Sequence, residues 1–282
     1  MQDAVAFADI PFDGRTIQIE HAWVGARDPH APVAVFLHEG LGSVALWKDW
    51  PAHVCTAGGL RGLVYSRYGY GRSTPRPHAE RWPPSFMHAQ AEDTLPRLLA
   101  ALGVAEQGQR YWLVGHSDGG SIALIHAARY PARVAGVVAI APHIMVEALS
   151  IASIERARDA WDKTDLRARL ARYHADPESA FGGWNDVWLS PAFRDWSIEA
   201  MLARLRCPVL AVQGADDEYG TLAQVEGIRA RVPGAELLVL ERCGHSPHRD
   251  QPDVVARAVN DFISRQELAT PSLATPPSGG MQ

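Results

Sequence analysis

At 282 residues, 47% of them hydrophobic and 21% charged, with a net charge of −5, the chain has enough apolar side chains for a large core and no basic surplus for nucleic acid. Its longest apolar run, Val134 to Pro142 broken by Gly136, is far shorter than the ~20 residues of a membrane helix, which excludes a helical membrane span. Cys55, Cys207 and Cys243 form an odd set behind an N-terminus, Met1 to Ile10, with no secretory signal, so a reducing cytoplasm is the expected location.

Val5 to Ile10 and Thr16 to Val24 alternate apolar and polar residues around Asp13-Gly14, the pattern of a hairpin. Val33 to Leu37 reads as a buried strand. A single helix is expected to carry Leu46, Trp47, Trp50 and Val54 on one face, followed by a strand from Gly62 to Tyr65. Another helix has Leu95, Leu98, Leu99 and Leu102 at helical spacing. The buried strand Tyr111 to Val114 leads into a helix from Ser121 to Tyr130, and Val134 to Pro142 reads as a central strand. From about Met145 to Leu205 only helical patterns and turns occur. Strands resume at Cys207 to Gln213 and Leu237 to Leu240, and Pro252 opens a helix that Asp250 could cap. The tail from Glu267 to Gln282, rich in Pro, Ser and Thr, is expected to be disordered. Such alternation predicts a parallel sheet with helices on both faces, with ligands bound beyond the carboxyl ends of the strands.

One strand-to-helix junction carries chemistry. In Gly115-His116-Ser117-Asp118-Gly119 the glycines permit a sharp turn, and the serine hydroxyl projects at the top of the sheet, where a nucleophile belongs. A serine needs a base to take its proton, and the base needs a carboxylate to hold its tautomer. The strand at Cys207 to Gln213 ends in Gly214-Ala215-Asp216-Asp217, and Leu237 to Leu240 is followed by Cys243-Gly244-His245. These supply both partners, in the order Ser, Asp, His.

From about Val33 to Phe262 the chain resembles the α/β-hydrolase family. Besides the elbow, Phe36 to Gly42 is similar to the family's oxyanion loop, and Tyr65 to Ser73 to its arginine-glycine loop. Glu39 departs from the glycine that many members place directly after the histidine, here His38. The resemblance implies a mostly parallel eight-stranded sheet, a core formed by residues 1–144 and 206–266, and a helical cap inserted at 145–205, with 267–282 as the tail. It implies Ser117 as nucleophile, His245 as base and Asp217 as acid, with Asp216 and Glu147 as alternative acids. The oxyanion would be held by the N–H of Asp118 and that of Gly40 or Leu41.

Glu39, Trp47, Arg67, His143, Trp184 and Trp188 are candidate substrate contacts. The cap aromatics Trp161, Phe181, Trp184, Trp188, Phe193 and Trp196 form either an apolar pocket or the cap's own core. Arg67 and Arg72 would hold a substrate carboxylate or brace their turn, and the Asp118 side chain would favour its helix N-terminus or orient a substrate donor. His248 is expected at the surface or behind His245. Cys243-x-His245-x-x-His248 resembles metal ligands but lacks a second pair, so no metal and no cofactor are expected.

The function implied is a serine hydrolase acting on a carboxylic ester or thioester of a small, partly apolar or aromatic substrate. Alternatives are a C–C bond hydrolase acting on a dienoic keto acid and a non-catalytic ligand-binding protein on the same fold. The expected partner is a small-molecule substrate, and the edge strand near the N-terminus could pair copies into a homo-oligomer.

Overall fold

The computed structural model describes residues 4–104 and 108–269. They form strands β1 (Ala6–Phe12), β2 (Arg15–Gly25), β3 (Val33–Leu37), β4 (Arg61–Tyr65), β5 (Tyr111–His116), β6 (Val134–Ile140), β7 (Val209–Gly214) and β8 (Glu236–Leu240). Helices are α1 (Trp50–Gly58), α2 (Phe86–Ala89), α3 (Leu95–Ala101), α4 (Asp118–Arg129), α5 (Ala148–Lys163), α6 (Leu166–Leu170), α7 (Pro177–Leu189), α8 (Glu199–Leu202), α9 (Ala223–Arg231), α10 (Pro247–Asp250) and α11 (Pro252–Ala269). The sheet runs β1-β2-β4-β3-β5-β6-β7-β8, antiparallel across β1, β2 and β4 and parallel from β4 to β8. It is the mostly parallel, eight-stranded sheet that the resemblance implies, with the two covered faces that the alternation predicts.

Both faces of the central strands are apolar because both are covered. In β5, Tyr111 and Leu113 face one core with Leu95, Leu98 and Ile122, while Trp112 and Val114 face a second core with Val54 of α1 and Val259 and Phe262 of α11. In β6, Val137 and Ala139 likewise belong to the first core and Val138 and Ile140 to the second. The chain passes from β3 outward to β4 and then back across to β5, so the direction of winding reverses between β3 and β5. That reversal opens a crevice beyond their carboxyl ends, where His38 and Ser117 lie.

Three local expectations are corrected. The single helix through Leu46 and Val54 is two pieces, a 3-10 turn at Ala45–Trp47 and then α1, parted at Lys48, whose φ is 56°. Pro51 has no N–H to continue a helix, so it falls in the first turn of a new one. The helix of the tail reaches Ala269, and Glu267 accepts a 2.7 Å hydrogen bond from the indole of Trp112. Residues 270–282 lie outside the described residues. Asp250 does not cap α11; it sits in α10 and accepts the N–H of Gly244 at 2.8 Å. Between β6 and β7 the secondary structure is α5 to α8, a 3-10 turn at Pro191–Phe193 and one isolated bridge, Met145 to Ser197.

Candidate active site

Ser117 stands between β5 and α4 with φ 54° and ψ −121°, a conformation that costs an L-residue about 1–3 kcal/mol and persists only where the surroundings impose it. Its neighbours impose it. A Cβ on Gly119 would overlap the Leu37 carbonyl, and one on Gly115 would overlap the Gly119 carbonyl. The turn can therefore close only with glycine on each side of the serine.

Ser117 Oγ lies 2.9 Å from His245 Nε2, and His245 Nδ1 lies 2.9 Å from both Asp217 carboxylate oxygens. The carboxylate can only accept when ionised, so Nδ1 carries the proton and Nε2 faces the hydroxyl with its lone pair. Asp217 also accepts from the N–H groups of Tyr219 (2.8 Å) and Gly220 (3.2 Å) and from Gln213 Nε2 (2.7 Å). Burial alone would raise its pKa, but the hydrogen bond and charge of His245, with the Tyr219 N–H, hold it below the ordinary carboxylate range. Of the three candidate acids only Asp217 faces the imidazole. Asp216 is exposed, and Glu147 accepts from Thr221 and Gln224 instead.

A cavity of about 200 Å³ opens over Ser117. Gly40 and Leu41 line it from the loop after β3, Asp118 from the start of α4, His143 from beyond β6, and Ile154, Trp184 and Trp188 from α5 and α7. The sequence reading did not single out Ile154, Glu218, Tyr219 or Ser246, all of which also line it. Tyr219 stacks obliquely on His245 with ring centres 4.6 Å apart, and its position two residues after Asp217 was the available signal. His143 is buried with Nδ1 unpaired, and burial followed by the neighbouring His245 lowers its pKa to about 3, so it faces the cavity as a neutral ring.

A family model described as the alpha/beta hydrolase family matches residues 34–258. The chain belongs to the α/β-hydrolase family. The hydrolase is similar to 2-hydroxy-6-oxo-2,4-heptadienoate hydrolase of Pseudomonas putida, at 26% identity over 86% of this chain and 92% of that one. It is similar also to human monoglyceride lipase, at 24% identity over 97% of this chain and 96% of that one, so these likenesses extend over nearly whole chains. A thermophilic esterase from Thermogutta terrifontis matches with a TM-score of 0.71 at 19% identity, over 94% of this chain and 99% of its own, a likeness of fold alone.

Two candidate contacts of the hydrolase lie elsewhere. Trp47 is stacked on Trp50 with ring centres 5.8 Å apart, belongs to the second core and does not line the Ser117 cavity. Its ring packs against Phe36 of β3, Trp50 of α1 and His248 of α10. Arg67 is fully buried beneath the oxyanion-type loop, where Nη2 donates to the Glu39 carbonyl at 2.8 Å and stands 3.8 Å from Asp118 Oδ2. Its guanidinium braces that loop and cannot meet a substrate. The Arg67 N–H donates to His38 Nε2 at 3.0 Å, which leaves the proton on Nδ1 to donate to the Glu39 carbonyl at 2.7 Å. Burial and then the charge of Arg67 keep His38 well below its ordinary pKa, in keeping with that neutral tautomer.

The carboxylates divide differently. Glu39 lines the cavity but pairs outward with Arg249 at 3.0 Å and lies 3.4 Å from His116 Nδ1. Asp118 accepts from the Trp188 indole at 3.3 Å, and burial, opposed chiefly by Arg67, raises its pKa to about 6. It is more than a helix-terminal charge. His248 is buried rather than at the surface, packed edge-on against His116 at 4.6 Å. No cluster of three or more potential metal ligands occurs among the described residues, and no described helix is long and apolar enough to cross a membrane.

Proposed function

We propose that this hydrolase cleaves the carboxylic ester or thioester of a small, uncharged, partly apolar substrate through an acyl-enzyme on Ser117. The observation that carries the reading is the hydrogen-bonded chain Ser117–His245–Asp217 opening into a cavity walled by Trp184 and Trp188. His245 takes the Ser117 proton as Oγ attacks the acyl carbonyl, and then delivers it to the leaving alcohol or thiol. Water repeats the sequence on the acyl-enzyme and releases the acid. The N–H groups of Asp118 and of Gly40 or Leu41 hold the tetrahedral oxyanion, each such donor contributing about 3 kcal/mol in comparable sites. The cap is the segment α5 to α8, which brings the two tryptophans over the serine.

Charge narrows the substrate. The cavity lining includes the carboxylates of Glu39, Asp118 and Glu218 and, among the described residues, no lysine or arginine. An anionic substrate would lose hydration there without gaining a cation. The similarity to a dienoate hydrolase favours a second reading, cleavage of a C–C bond in a keto acid, and the absence of a cation in the lining weighs against it. Labelling with a fluorophosphonate, followed by kcat/KM on paired esters, thioesters and a dienoic keto acid, tests the proposal. Labelling at Ser117 with turnover of neutral esters is expected. Turnover of the keto acid alone would establish the second reading, and no labelling with no turnover would mark a ligand-binding protein.

A further inference from the structure

A second cleft, of about 620 Å³, lies behind the wall of the Ser117 cavity, bounded by the 3-10 turn before α1, by Tyr173 after α6 and by the starts of α10 and α11. Its lining combines the tryptophans Trp47 and Trp50 with Lys48, Tyr173, His248 and Arg249. Trp47 and Trp50 lie nearly parallel, 14° apart, and His248 packs obliquely against both.

Several polar groups here lack the partners that buried groups ordinarily have. His248 is 2% exposed, yet neither ring nitrogen has a hydrogen-bond partner, and the Trp47 indole N–H is likewise buried and unpaired. Lys48 reaches the Tyr173 hydroxyl at 2.9 Å and lies over that ring, but makes no ion pair among the described residues. Lys48 pulls the Tyr173 hydroxyl below the ordinary phenol range, with Arg172 and Arg249 adding to the effect. Lys48 is thus the cationic group at the mouth of the cleft whose charge is not matched by a carboxylate within ion-pair distance among the described residues. Asp49 and Asp253 also line it, and Asp253 is paired with His53 at 3.5 Å.

We propose that this cleft is a second ligand site, taking a small aromatic monocarboxylate whose carboxylate pairs with Lys48 and whose ring lies against the wall that Trp47, Trp50 and His248 give the cleft. The cleft shares its wall with the Ser117 cavity. His248 touches His116, His116 Nε2 lies 2.7 Å from the His245 carbonyl, and Arg249 of this cleft pairs with Glu39 of the other.

The test uses 4-bromobenzoate, whose bromine is located by anomalous scattering in crystals of the full chain, with calorimetric titration alongside. Bromine in the cleft, binding weakened roughly tenfold or more by Lys48→Met and more by Lys48→Glu, and affinity unchanged by Ser117→Ala are the expected results. Bromine in the Ser117 cavity or nowhere in the protein overturns the proposal. So does a Lys48→Met variant, folded by its thermal transition, that binds as the wild type does. None of these readouts depends on turnover, so the site stands or falls separately from the reaction proposed at Ser117.

Discussion

His116 Nε2 donates to the backbone carbonyl of His245 across 2.7 Å, so the residue that precedes Ser117 in β5 also holds the chain that presents the imidazole. Replacing His116 by Phe keeps the ring and removes the hydrogen bond. The expected outcome is a roughly tenfold lower kcat with KM little changed, because about 1–2 kcal/mol of positioning is lost in the step that moves the proton. Steady-state kinetics with unaltered kcat would show that His245 is placed without this bond.

The three acids make a sharper comparison. Asp217→Asn removes the acceptor from His245 Nδ1 and should lower kcat by about 10³ to 10⁴, as mis-set tautomers do elsewhere. Asp216→Asn should stay within a few-fold of wild type, since that side chain is exposed. Glu147→Gln should change the thermal midpoint more than turnover, because Glu147 ties α5 to Thr221 and Gln224.

Asp217 also makes stability pH-dependent. Its folded pKa is depressed, burial being outweighed by His245 and the Tyr219 N–H. The stabilisation is therefore complete above the unfolded carboxyl value of about 4 and disappears as pH falls through the lower folded value. Urea unfolding should show a wild-type advantage over Asp217→Asn that is constant from pH 7 to about 5 and closes below about 4. A difference that widens in acid would contradict the arrangement.

Asp118 titrates in the opposite direction. Burial raises its carboxyl to about 6, so the cavity gains a negative charge as pH rises through that value. The ratio of kcat/KM for a neutral ester to that for a carboxylate-bearing analogue should increase several-fold between pH 5 and pH 7.5. In Asp118→Asn the ratio should be flat.

Gly119→Ala tests the elbow. The added methyl would overlap the Leu37 carbonyl, and backbone does not yield as the tip of a side chain can. Loss of several kcal/mol of stability, or failure to fold, is expected, whereas Gly14→Ala, with open space but φ 71°, should cost about 1 kcal/mol. Thermal or urea unfolding of the two variants measures the contrast.

Local rules were enough for much of this molecule. Strand β6 is legible because covered strands of a parallel sheet are apolar on both faces, and the turn at Ser117 because only glycine fits beside it. Serine, acids and histidine each follow a strand that ends along one rim of the sheet, so the sequence by itself determined the fold class and the group of residues able to meet. Choosing among neighbours belonged to the tertiary structure. Asp216 and Asp217 are equivalent in composition and differ only in the direction a turn points them, and Arg67 and Trp47 became a brace and a core residue once distant segments packed over them. Hydrogen bonds and burial between residues more than a hundred positions apart have no periodicity to announce them. Only the folded arrangement decides which side of the cavity wall a side chain occupies.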